Sequence, residues 1–233
     1  MSQRVRTWLN VPWSGGEAFA ALAISFGIYL LVSVPASLVN NFPVLPYLVY
    51  LGVFAPTILG VATWITGKHR SGWKSLGFTK DRLGVCLGIG FVGGLGMFMV
   101  NVALSAVVTQ IARGLGYNVD QVSQVSGLGE APGWQIVLIV LAVVFVAPVV
   151  AEILFRGIFY AGLRKRLGVC GAVVVSGLLF GFLHFQLLGF VPLAAIGVIL
   201  ALLYEQQGSL ATPIVAHVMN NGIIVLITLL FRK

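Results

Sequence analysis

Seven apolar stretches follow one another along the chain, separated by short polar segments. They cover residues 18–39, 45–65, 83–111, 134–163, 169–185, 188–204 and 210–231. A helix needs about 20 apolar residues to cross the hydrocarbon core of a bilayer, so the pattern predicts an all-α, polytopic transmembrane helical bundle of seven spans. The third and fourth runs exceed one crossing, which leaves room for an eighth span. No internal repeat, low-complexity tract or linker divides the chain, and residues 1–233 read as a single integral membrane domain.

Composition agrees. The chain is 59% hydrophobic and 9% charged, with a mean hydropathy of +1.03. A soluble domain carries roughly a quarter of its residues as charges, so that class is excluded. The net charge of +8 (14 Lys+Arg against 6 Asp+Glu) reads as topology rather than as a nucleic-acid surface. The cations sit in short segments between the runs: Arg4 and Arg6; Lys68, Arg70, Lys74, Lys80 and Arg82; Arg164, Lys165 and Arg166. Short basic loops stay cytoplasmic, which places the N-terminus inside a cell membrane and leaves Arg232 and Lys233 as an exception. No cleavable signal peptide is expected. The tryptophans Trp8, Trp13, Trp64, Trp73 and Trp134 fall near predicted helix ends, where amphipathic rings prefer the interface.

Cys86 and Cys170 lie inside apolar runs and read as small hydrophobes rather than as a disulfide. In the third run, Gly84 and Gly88, and again Gly90 and Gly94, have the four-residue spacing that lets helices approach closely. Residues 113–133 form the one long polar connection, a lid or a plain loop.

A few polar residues interrupt the apolar pattern. Ionisable groups at membrane depth are rare unless they face a cavity or each other; here they are Glu152, Arg156, His184 and His217, with Asn221 one turn after His217. Glu152 and Arg156 stand at i and i+4, on one helix face, where they neutralise each other. Taken singly, each polar residue suits an interhelical hydrogen bond. Together, two imidazoles and a carboxamide can hold a water, donate to an oxyanion and pass a proton to a leaving amine. They lack a base. A carboxylate one position before Glu152 would lie about 100° around the helix, facing the histidines; that position is Ala151.

The segments APVVAEILFRG, FGFLHF and AHVMNNG, in this order on successive helices, resemble the motifs EExxxR, FxxxH and HxxxN of the CPBP family of intramembrane endopeptidases (CaaX proteases and bacteriocin-processing enzymes), which includes the type II CaaX prenyl endopeptidase. The likeness covers roughly residues 134–231. It implies that Glu152 and Arg156 match the second glutamate and the arginine of the first motif, Phe180 and His184 the second motif, and His217 and Asn221 the third. The first glutamate, the family's proposed general base, falls on Ala151.

The resemblance implies hydrolysis of a peptide bond in a membrane-associated substrate, a hydrophobic or lipidated peptide such as a prenylated tail or a leader, in contact with membrane lipid and without nucleic acid. With glutamate at 151, that carboxylate and His184 would deprotonate a water, His217 and Asn221 would stabilise the oxyanion, and the Glu152/Arg156 pair would hold the motif helix. With Ala151 the chain is expected to be inactive or nearly so. Either an engineered substitution or a natural non-catalytic member explains Ala151, and the retention of His184, His217 and Asn221 favours the first. Zinc usually takes three protein ligands and a water; Ala151 leaves two, so no metal or other cofactor is expected. The rival readings are a non-catalytic immunity or peptide-binding protein of the same fold, and a transporter. A transporter predicts interrupted helices in both halves, whereas the polar residues occupy one half.

Overall fold

The computed structural model describes residues 10–37, 44–117, 119, 128 and 131–231. The N-terminal residues through Leu9, most of the 113–133 connection, and Arg232 and Lys233 lie outside the described residues, and with them the cations Arg4 and Arg6 and the lid-or-loop question.

Six helical stretches are long and apolar enough to cross a membrane. Helix α1 is Gly15–Ser37, α2 is Leu45–Lys68 and α3 is Leu83–Gly114. The fourth stretch, Gly133–Phe182, has 50 residues, which at about 1.5 Å per residue would measure ~75 Å, far more than the ~30 Å hydrocarbon core. It is two helices, because Gly168 adopts φ 67°, ψ −179° and turns the chain back. We label residues 133–167 α4 and residues 169–182 α5. Helices α6 (Phe190–Gln207) and α7 (Ala211–Leu230) complete seven helices, one for each apolar run of the hydropathy pattern. Helix α3 is continuous over its 32 residues, so the room left for an eighth span is taken up by a single long helix.

Glycines set the closest helix approaches. A Cβ on Gly90 would lie 2.6 Å from the Thr212 carbonyl, and one on Gly94 would lie 2.6 Å from Met219 Cβ, so α3 packs tightly on α7 there. Gly84 and Gly88 meet nothing within 4 Å; of the two pairs with packing spacing, only the second is used. Gly197 on α6 approaches Gly177 on α5 closely enough that a Cβ would lie 2.8 Å from the Gly177 Cα.

One end of the bundle is stitched shut. Ser14 and Glu17 form a reciprocal cap at the start of α1, the Ser14 N–H donating to Glu17 Oε2 at 2.8 Å and the Glu17 N–H to Ser14 Oγ at 3.2 Å. The other Glu17 oxygen ties α1 to the end of α2 through Lys68 (2.7 Å) and His69 (2.9 Å). Trp13 is fully buried and donates its Nε1–H to the Ile158 carbonyl at 3.0 Å. It is a strut between α1 and α4 and not an interfacial anchor, unlike Trp64 and Trp134, which are exposed. The turn Trp73–Leu76 lies across the same end, with the Tyr204 hydroxyl donating to the Leu76 carbonyl (2.9 Å) and the Leu210 N–H to the Gly77 carbonyl (3.0 Å). Glu205 accepts two bonds from Arg164 and one from the Tyr160 hydroxyl, all at 2.8 Å. Cys86 is buried and Cys170 exposed, both free thiols.

Candidate active site

The motif helix is irregular where its chemistry lies. Pro148 has no N–H and its ring crowds the carbonyl of residue 144, and the turn before it, Leu141–Val146, widens to π-helix. The Ala147 N–H consequently donates to the Ala142 carbonyl, five residues back. The next carbonyl, Val143, would take its donor from residue 148, which is the proline. Asn221 of α7 supplies the missing donor, Nδ2 to Val143 O at 2.9 Å. Asn221 Oδ1 in turn accepts from Asn220 Nδ2 at 3.1 Å, and Asn220 Oδ1 is buried without a partner. The same proline effect recurs in α2, where Tyr50–Phe54 is π-helical just before Pro56. A third π-helical segment, Ile153–Tyr160, carries Arg156.

Glu152 and Arg156 are both fully buried. Arg156 Nη1 donates to Glu152 Oε1 at 3.2 Å, Nη2 donates to the Gly197 carbonyl at 2.7 Å, and Nε lies 3.1 Å from Glu152 Oε2 without the angle for a hydrogen bond. The guanidinium also sits 4.9 Å over the Phe180 ring. The pair anticipated from the i, i+4 spacing is therefore present, and it braces α4 against α6. Glu152 does more than the spacing implies: His217 Nδ1 lies 2.9 Å from its Oε1. The carboxylate assigned to holding the helix also touches one of the two histidines.

His184 Nδ1 is 2.6 Å from the Phe180 carbonyl. A carbonyl can only accept, so this nitrogen carries the proton, and in the neutral ring Nε2 is left as an acceptor. His217, donating Nδ1–H to Glu152, is oriented the same way. The Phe180 ring lies 4.7 Å from His184 and 5.7 Å from His217, centre to centre, so both imidazoles pack against it.

These groups face one cavity of about 670 Å³, whose wall includes Ala151, Phe180, His184, His217, Asn220 and Asn221. The two histidines, the carboxamide and position 151 are thus brought together, while Glu152 and Arg156 stand behind the wall. Aromatic side chains of α1 and α2, among them Phe26, Tyr29, Tyr47, Tyr50 and Phe54, make the apolar side. Opposite them α3 presents Asn101, Ser105 and Thr109, with Ser105 Oγ donating to Asn101 Oδ1 at 3.3 Å. None of the three is ionisable, so the stripe does not stand out in the sequence as Glu152 or His217 does. Their i, i+4, i+8 spacing in an apolar run was the available signal.

As metal donors the wall offers two imidazoles, with a methyl group at 151 where a third ligand would stand. Among the described residues no three His, Cys, Asp or Glu side chains gather as a ligand set. This is one ligand short of the three protein donors that zinc usually takes.

Comparison with a family model falls on the half of the chain that carries this site. Residues 133–223 match the family model described as type II CAAX prenyl endopeptidase Rce1-like. A curated protein of Bacillus subtilis (strain 168), "Putative membrane peptidase YdiL", is 23% identical over 150 residues, 64% of this chain and 59% of that protein. The match therefore spans less than two thirds of that relative's length. No solved structure matches. The family resemblance is borne out: residues 133–223 of this multi-pass membrane protein match the type II CAAX prenyl endopeptidase, Rce1-like family model.

Proposed function

We propose that the chain is built as an intramembrane endopeptidase that hydrolyses a peptide bond in a hydrophobic or lipidated, membrane-associated peptide, and that Ala151 leaves this sequence inactive or nearly so. The observation that carries the reading is the single cavity shared by position 151, His184, His217 and Asn221. The apolar aromatic side receives the substrate's side chains, and the Asn101, Ser105 and Thr109 stripe supplies hydrogen bonds to its backbone.

With glutamate at 151, the carboxylate and the His184 Nε2 lone pair take the proton of a water held between them. That water attacks the scissile carbonyl. His217, held through Nδ1 by Glu152, turns Nε2 toward the developing oxyanion and donates to it when the ring carries both protons. Asn221 has a second Nδ2 hydrogen beyond the one on Val143 and donates in the same direction. The proton then passes to the leaving amine. Among the described residues no carboxylate lines the cavity, and Glu152, behind its wall, is fully buried and engaged with Arg156 and His217. General-base catalysis contributes ~10²–10⁴ in rate, which is the expected gap between the two forms.

The test is peptide cleavage by the purified chain and its Ala151→Glu variant in detergent, against a panel of hydrophobic and prenylated peptides. Cleavage by the variant alone supports the proposal. If neither cuts while the folded variant binds a panel peptide, the protein is a binder and the proposal fails.

A further inference from the structure

We infer that the cavity opens on the face of the membrane opposite the cytoplasm, so that its substrate is an apolar segment of an exported or membrane-anchored polypeptide presented from outside, and not a tail made and held in the cytoplasm. The inference rests on the proposed peptidase reading for the word substrate. The sidedness itself rests on two independent features of the fold.

The first is where the cations go. Lys68, Arg70, Lys74, Lys80, Arg82, Lys165 and Arg166 are exposed and come together, through three separate helix ends, at the stitched end of the bundle, with the part-buried Arg164 beside them. They lie in short connections next to spans, the setting in which Lys and Arg bias determines orientation. At the opposite end the described cation is Arg113. The anionic inner leaflet attracts the same cations, so both effects hold the stitched end in the cytoplasm.

The second is where the cavity goes. Its wall is drawn from the far ends of the helices: Pro46 and Tyr47 at the start of α2, Thr109 near the end of α3, and the α5–α6 turn through His184, Phe185 and Gln186. Pro46 and the last three are exposed. None of the basic segments contributes to it. On the cytoplasmic side the approach is closed by the 73–77 turn, bonded to Tyr204 and Leu210, and by Trp13 bonded to Ile158. Ile58, Leu154 and Phe155 line the cavity's inner end above these contacts. A peptide from the cytoplasm would have to break the stitched end; one from the other face enters past Pro46, Tyr47 and the exposed α5–α6 turn.

The test is thiol labelling of intact bacterial cells with a membrane-impermeant maleimide, using the full chain with Cys86→Ala and Cys170→Ser. One variant adds Leu187→Cys in the exposed α5–α6 turn, the other Lys80→Cys at the basic end. We expect the Leu187→Cys chain to label in intact cells and the Lys80→Cys chain only after permeabilisation. The reverse pattern, or labelling of both in intact cells, overturns the inference. In a second arm the Ala151→Glu chain is given a panel peptide that it cuts in detergent, in right-side-out and in inverted vesicles. Cleavage is expected only in the former, and cleavage in the inverted vesicles alone overturns the inference. Labelling reports sidedness whatever the chain cleaves, so loss of the peptidase reading in detergent and loss of the sidedness are separate results.

Discussion

Replacing Glu152 with glutamine keeps the side chain's volume and its acceptor oxygen and removes its charge. Arg156 then remains in the bundle with no anion beside it. It is fully buried, its remaining contacts are with neutral acceptors, the Gly197 carbonyl and the amide oxygen at 152, and among the described residues no other carboxylate is bonded to it. Removing one partner of a buried ion pair costs ~3–5 kcal/mol, because the survivor has lost both water and counter-charge. At about 2–4 °C per kcal/mol for a chain of this size, the melting temperature should fall by roughly 6–20 °C. Arg156→Met should cost a similar amount, because it leaves the buried Glu152 charge with the His217 Nδ1–H as its remaining polar contact. The double variant Glu152→Gln/Arg156→Met removes both charges and should lie closer to the parent than either single, since exchanging a whole buried pair for neutral side chains is often nearly neutral. The assay follows from the thiols: Cys86 is buried and Cys170 exposed, so in a Cys170→Ser background a thiol-reactive fluorogenic dye reports unfolding in detergent through Cys86. A Glu152→Gln chain melting within ~2 °C of its parent, or a double variant as unstable as the sum of the singles, would refute the account of this pair.

Two further outcomes separate structure from chemistry. Asn221→Leu should cost ~1–3 kcal/mol by leaving the Val143 carbonyl unsatisfied, and Pro148→Ala in the same chain should recover part of that loss by returning an N–H to the helix; equal melting temperatures with and without Pro148→Ala would sink the relay. Gly94→Leu forces Met219 and the Ala216 carbonyl away and should cost at least ~1–3 kcal/mol or prevent folding, whereas Gly88→Ala, with nothing within 4 Å, should leave the melting curve in place; the same dye assay reads both.

Much of this molecule is legible one residue at a time. Spans follow from the length of apolar runs, because lipid leaves the backbone no partner but itself. The Glu152/Arg156 pair follows from helical periodicity. The order of the three motifs points to His184, His217 and Asn221 before any helix is placed.

Tertiary structure decided what depends on which faces meet. Gly84–Gly88 and Gly90–Gly94 have the same spacing, and only the neighbour across from each shows that the second pair packs. Trp13 has an interfacial position in the sequence and a buried one in the fold, because the Ile158 carbonyl lies within reach of its N–H. Glu152 braces Arg156 and also bonds His217, because α7 brings that imidazole within reach of the same carboxylate oxygen. Gly168 turned one long apolar stretch into two spans, as its run of basic neighbours had suggested. The cavity's place at the end away from the cations is a property of the assembled bundle alone: hydropathy orders the helices along the chain, but only their packing determines between which ends a space is left.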